Sequence, residues 1–130
     1  MRIPLVEEAT SHIGKPYVRS MAGPDSFDCS GFTFYCITEL YDLPIKRTAY
    51  EQGYDDTFLK VENISDLKIG DLVFFNTVSD KDLCNHAGIY IGNDEFIHSS
   101  SANRKVIISN LKGTFYEGSF SWGRRLIEDD

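Results

Sequence analysis

The chain has 130 residues, with 20 acidic and 13 basic side chains and a formal charge of −7. That length suits one domain with one core, here taken as residues 1–130. A hydrophobic share of 42% and an aromatic share of 13% exclude a disordered chain. The acidic balance argues against nucleic acid as a partner and against a polybasic membrane anchor. No apolar run approaches the ~20 residues of a membrane span, so no membrane insertion is expected. Met1 to Gly14 lacks a basic cluster followed by an apolar stretch, so no secretory signal is read there. That leaves a cytoplasmic protein, export by another route, or an excised domain. The three cysteines, Cys29, Cys36 and Cys84, are odd in number and form no close pair. They do not read as a disulfide framework or a zinc ribbon.

In chain order, Pro4 to Ile13 predicts a short helix, with Pro4 in the first turn and Leu5, Ala9 and Ile13 on one face. His12 falls on this helix and is assigned to its solvated side. Gly14, Pro16, Gly23 and Pro24 make Lys15 to Phe27 a loop. Asp28 to Leu40 predicts a second helix: Asp28 is a good N-cap, and Phe32, Cys36 and Leu40 form a stripe. Leu43-Pro44 ends that region, and Thr48 to Tyr54 is a further short helix. From Lys68 the pattern becomes short strands: Leu72–Phe75, Ala87–Ile91, Glu95–His98, Val106–Ile108 and Ser121–Ile127. Helices first and antiparallel strands afterwards indicate an α+β fold.

Two features carry chemistry. Cys29, in Phe27-Asp28-Cys29-Ser30-Gly31-Phe32, opens the second helix. Unpaired N–H groups and the positive end of the helix dipole there favour the thiolate, the nucleophilic form. His86 and His98 lie on two strands joined by a Gly-Asn turn. If Gly92-Asn93-Asp94 is the turn, Ile91 faces Glu95 and Gly88 faces His98. The two histidines then share a face as diagonal neighbours, with Cα atoms roughly 7–8 Å apart. A plain two-residue turn puts them on opposite faces, so an odd-length turn or a compensating bulge is expected. A cysteine with two such imidazoles has a nucleophile, a base and an orienting group. Two unrelated histidines at strand ends is the competing reading of the spacing alone.

The stretches Gly14-Lys15-Pro16-Tyr17, Phe27-Asp28-Cys29-Ser30-Gly31-Phe32, Gly70-Asp71-Leu72-Val73-Phe74-Phe75, His86-Ala87-Gly88-Ile89-Tyr90-Ile91-Gly92-Asn93 and Phe96-Ile97-His98-Ser99-Ser100 resemble the NlpC/P60 cysteine peptidases. They occur in that family's order and at about its spacing. Trp122 to Leu126 resembles the family's last strand. The resemblance implies a papain-like α+β fold, with N-terminal helices packed on an antiparallel sheet. It implies hydrolysis of bacterial cell-wall peptides, typically between γ-D-glutamyl and a diamino acid. Peptidoglycan stem peptide or muropeptide is then the partner. Cys29 matches the nucleophile, His86 the base and His98 the third member; no cofactor or metal is implied, and a monomer is expected.

Tyr17 matches a cleft-lining tyrosine. Asp28 and Ser30 match positions near the pocket for the free amino end of the stem peptide, and Arg47 matches the family's Pro-Arg-Ser/Thr stretch. There are departures. Ser20 and Met21 stand where the family usually has two glycines, Ile45 and Lys46 separate Leu43-Pro44 from Arg47, and Asn76 to Asn85 is long and carries Cys84. Alternatives are an N-acetylmuramoyl-L-alanine amidase, another amide hydrolase or effector toxin of this fold, and a catalytically inactive wall-binding domain. A zinc site on Cys29, His86 and His98 is chemically adequate but not singled out by spacing.

Overall fold

A computed structural model describes residues 2–78 and 84–127. Residues 79–83, in the long segment before His86, and residues 128–130 lie outside it. Three helices, α1 (Ile3–Thr10), α2 (Cys29–Leu40) and α3 (Ala49–Gly53), precede the sheet. The strands are β1 (Leu59–Val61), β2 (Leu72–Phe75), β3 (His86–Gly92), β4 (Glu95–Ser100), β5 (Lys105–Asn110) and β6 (Phe120–Arg125). A short helix α4 (Phe115–Ser119) leads into β6. They form one six-stranded antiparallel sheet in the order β1-β6-β2-β3-β4-β5. The α+β expectation holds. Among the described residues no helix is long and apolar enough to cross a membrane.

Side chains of β2, β3 and β4 alternate between two apolar layers, as a period of two requires. Leu72, Phe74, Ala87, Ile89 and Ile97 point to the helices and join Leu5, Ala9, Phe32 and Ile37. Val73, Phe75, Tyr90 and Phe96 point the other way and pack with Leu111, Tyr116 and Phe120. Each strand is therefore buried on both faces, which accounts for the unbroken apolar run Leu72–Phe75.

The Gly70-Asp71 motif has a structural role. The Asp71 carboxylate is fully buried and accepts from Arg125 Nε and Nη2 at 2.9 and 2.8 Å. The Lys68 N–H also donates to it at 2.8 Å, and Arg2 Nη1 lies 3.7 Å away. A buried carboxylate so fully paired staples β2 to β6 and to the chain start.

Two expectations need correction. α1 ends at Thr10, so His12 lies in the turn beyond it and points inward. It is buried against the rings of Phe27, Phe32 and Tyr35, with Nε2 2.7 Å from Glu8 Oε2. His12 stands seven residues after Leu5 and three after Ala9, so the turn that follows α1 carries it on their buried face. β1 and α4 also went unread; β1 is three residues long and exists through its pairing with β6, and α4 is a single five-residue turn capped by Thr114.

Candidate active site

Cys29 is the first residue of α2. Asp28 caps that helix with an extended backbone, and its Oδ1 accepts the Gly31 N–H. Gly31 is required here, because a Cβ would collide with the Met21 carbonyl and the Asp28 carboxylate. The cap, the glycine and the helix start together place the sulfur on the backbone of β3. Cys29 Sγ–H donates to the Asn85 carbonyl at 3.7 Å, and the Ala87 N–H bonds to the sulfur. The sulfur thus touches both chain neighbours of His86.

Burial pushes the Cys29 thiol above its ordinary value, and the Asp28 carboxylate adds to the rise. The N–H groups of Ala87, Ser30 and Cys29 itself act in the opposite direction but do not prevail. The expectation of a resting thiolate is therefore corrected: desolvation outweighs the helix terminus. Cys29, Cys36 and Cys84 are all free thiols, and Cys36 and Cys84 are buried in the helix-side core.

The histidines meet as the register argument requires. Ile89 pairs with Ile97 and Tyr90 with Phe96, so Gly88 faces His98. The turn itself is the two residues Asn93-Asp94, with φ of 53° and 58°, and the pairing shifts by one residue between Tyr90 and Gly92. That bulge restores the parity that a two-residue turn removes. His86 Nε2 lies 2.7 Å from His98 Nδ1, with the rings 83° apart. Gly88 lies between them in sequence and space. A Cβ there would stand 3.1 Å from His98 Cβ and 2.7 Å from the Phe96 ring.

Phe75, Phe96 and Tyr116 pack around the two imidazoles. Burial drives His86 from the ordinary 6.5 down to about 4. It drives His98, where His86 also opposes a second charge, down to about 2. Both rings are neutral at pH 7, and His86 keeps the ring nitrogen remote from His98 for another partner. A pocket of about 200 Å³ opens beside His86, lined by Thr77, Ser100, Ser101, Ala102, Phe115 and Tyr116.

The remaining sequence-derived positions also gather here. Tyr17 is half-buried near Cys29; burial first, then the Cys29 and Asp28 charges, raises its hydroxyl pKa, so it remains a donor. Arg47 Nη2 donates to Asp28 Oδ2 at 3.0 Å, and Nη1 donates to Asp28 Oδ1 at 3.3 Å and Ser30 Oγ at 3.1 Å. Arg47 therefore neutralises the carboxylate that flanks the sulfur. The sequence reading missed Gln52, which is buried and donates to the Ser30 and Lys46 carbonyls while accepting from Thr33 Oγ1. A polar residue one turn into an amphipathic helix was its only signal. Tyr116 was missed because α4 was missed.

The NlpC/P60 family profile matches residues 14–125. The chain is 32% identical over 126 residues to the probable endopeptidase YafL of Escherichia coli, covering 96% of this chain and 50% of that protein. It is 35% identical over 116 residues to the murein DD-endopeptidase MepH of the same organism, covering 88% and 42%. The chain thus spans about half the length of these relatives. A crystal structure of an NlpC/P60 family protein from Bacillus cereus superposes with a TM-score of 0.84 at 29% identity, covering 96% of this chain and 40% of that one. With a sulfur at a helix start set against an antiparallel sheet, and a match that takes in nearly every element around it, this chain belongs to the NlpC/P60 family.

Proposed function

We propose that the chain is a cysteine endopeptidase of bacterial peptidoglycan, with residues 1–130 acting as one catalytic domain. Its bond is the one between γ-D-glutamyl and the diamino acid of the stem peptide. Cys29 is the nucleophile, His86 the general base and acid, and His98 the residue that orients His86. The observation that carries this reading is the sulfur resting on the backbone either side of an imidazole that is itself bonded to a second imidazole.

The resting pair is a neutral thiol and a neutral imidazole. As the sulfur attacks the scissile carbonyl, its proton passes to the His86 nitrogen not bonded to His98. The carbonyl oxygen takes the negative charge and draws on the Cys29 N–H at the helix start, with the Tyr17 hydroxyl as a second donor. His86 then protonates the leaving amine. A water, deprotonated by His86, hydrolyses the thioester and restores the thiol. Asp28 and Ser30 meet the free amino end of the peptide. Arg47 holds both in place, so its contribution is to keep that pocket shaped as well as to neutralise it.

The test is product mass spectrometry on defined stem peptides, with and without a free N-terminal L-alanine. Release of γ-D-glutamyl peptide by the parent and none by Cys29→Ala is expected. Turnover by a folded Cys29→Ala protein rejects the scheme. The name of MepH motivates a second reading, cleavage of a DD bond, and products cut at D-alanine select it.

A further inference from the structure

His98 has a partner beyond His86. Its Nε2 lies 2.8 Å from Ser109 Oγ. The pairing follows from register: Phe96 faces Ser109 and His98 faces Ile107, so Ser109 is the diagonal neighbour of His98 on the same face. His98 is fully buried, whereas Ser109 is half-buried. Ser109 also lines a hollow of about 290 Å³ with Glu95, Asn110 and Tyr116, on the far side of His98 from the pocket at His86.

We propose that Ser109 is a positioning residue, which accepts the hydrogen of His98 Nε2 and so selects the tautomer of both imidazoles. This rests on the reading of Cys29 as nucleophile and His86 as base. Each neutral imidazole carries one N–H. If His98 carries it on Nε2, its Nδ1 must accept, and His86 must donate from Nε2. His86 Nδ1 is then unprotonated and takes the thiol proton. In the opposite arrangement His98 donates from Nδ1, His86 carries its hydrogen on Nδ1, and no base faces the sulfur.

The serine hydroxyl suits the first arrangement because Ser109 lines the hollow, so its own hydrogen is free to turn there while its oxygen accepts from His98 Nε2. His98 has no contact with solvent. When Cys29 loses its proton, the His86 imidazolium keeps its Nε2–H bonded to His98 Nδ1, and the His98 Nε2–H···Ser109 bond strengthens as that positive charge appears. One proton moves, from sulfur to His86, and none reaches Ser109.

Ser109→Ala and Ser109→Thr test this by ¹⁵N imidazole NMR and steady-state kinetics on the full chain. In the parent both histidines should show the Nε2–H tautomer. Ser109→Ala should mix tautomers at His98 and lower kcat about tenfold with little change in KM. Ser109→Thr, which retains the hydroxyl, should restore both. Unchanged His98 shifts and kcat in Ser109→Ala overturn the assignment, as does a Ser109→Thr protein as impaired as Ser109→Ala. A parent with the stated tautomers that hydrolyses no wall peptide supports the Ser109 assignment and overturns the peptidase reading.

Discussion

Gly88→Ala probes the closest packing in the site. The added Cβ would lie 2.7 Å from Phe96 Cδ2, 3.0 Å from the Ile97 carbonyl oxygen and 3.1 Å from His98 Cβ. Carbon atoms in contact normally sit roughly 3.5–4.0 Å apart, so the ring must retreat by about 1 Å. It has no space to do so, because Phe96 is fully buried and packs on Phe75, Tyr116 and His98. The Ile97 oxygen belongs to the facing strand and moves only with it. Overpacking of this kind costs about 1–3 kcal/mol.

The same displacement acts on the 2.7 Å bond between His86 and His98, since Gly88 faces His98 and is two residues from His86. Separating the rings by a further 0.9 Å or so leaves no hydrogen bond by ordinary criteria. Urea denaturation should therefore show a midpoint shift of that size with an unchanged slope. The kcat of the folded fraction should fall by at least about tenfold, the worth of one charge-assisted hydrogen bond. A Gly88→Ala protein as stable and as active as the parent refutes the argument.

Three further outcomes are expected. His86 and His98 have pKa values lowered by folding, so the unfolded chain binds more protons between pH 6.5 and about 4. Their contribution to stability is complete above pH 6.5 and falls as pH drops through about 4, with a slope of about 1.4 kcal/mol per unit for each imidazole involved. Denaturation midpoints across that range should fall in the parent and fall about half as steeply in His86→Asn, where His98 alone remains. Asp71→Ala leaves Arg125 facing a buried void and should destabilise by about 3–5 kcal/mol, read by chemical denaturation. Arg47→Ala leaves the Asp28 carboxylate unneutralised beside the sulfur. The thiol pKa should rise further, and alkylation of Cys29 at pH 7 should slow about two- to fivefold.

Legibility in the sequence followed the range of the interactions involved. β2 was read to the residue, because Leu72–Phe75 is an apolar run bounded by turn residues. The α2 start was legible from Asp28, whose capping role is local. The side-chain parity of His86 and His98 was legible because a turn and a period of two determine it, and the bulge took the place of a longer turn. β1 was not legible: Leu59 is exposed, and the strand exists through its pairing with β6, more than sixty residues away. Ser109 was not legible because the expected strand stopped at Ile108, and only the β4–β5 register brings it to His98. The thiol's protonation was misjudged because a helix terminus is visible in sequence and the degree of its desolvation is not.

The two apolar layers divide the chemistry between them. Cys29 packs with the helix-side layer, while the imidazoles sit among Phe75, Phe96 and Tyr116 on the other side. The ribbon of β3 is a party wall: nucleophile and relay occupy separate rooms and communicate through its end. Repacking either room should leave the other's architecture untouched so long as that wall stays put. Changes in α4 and its surrounding hollows should therefore leave the contacts of the sulfur with β3 in place.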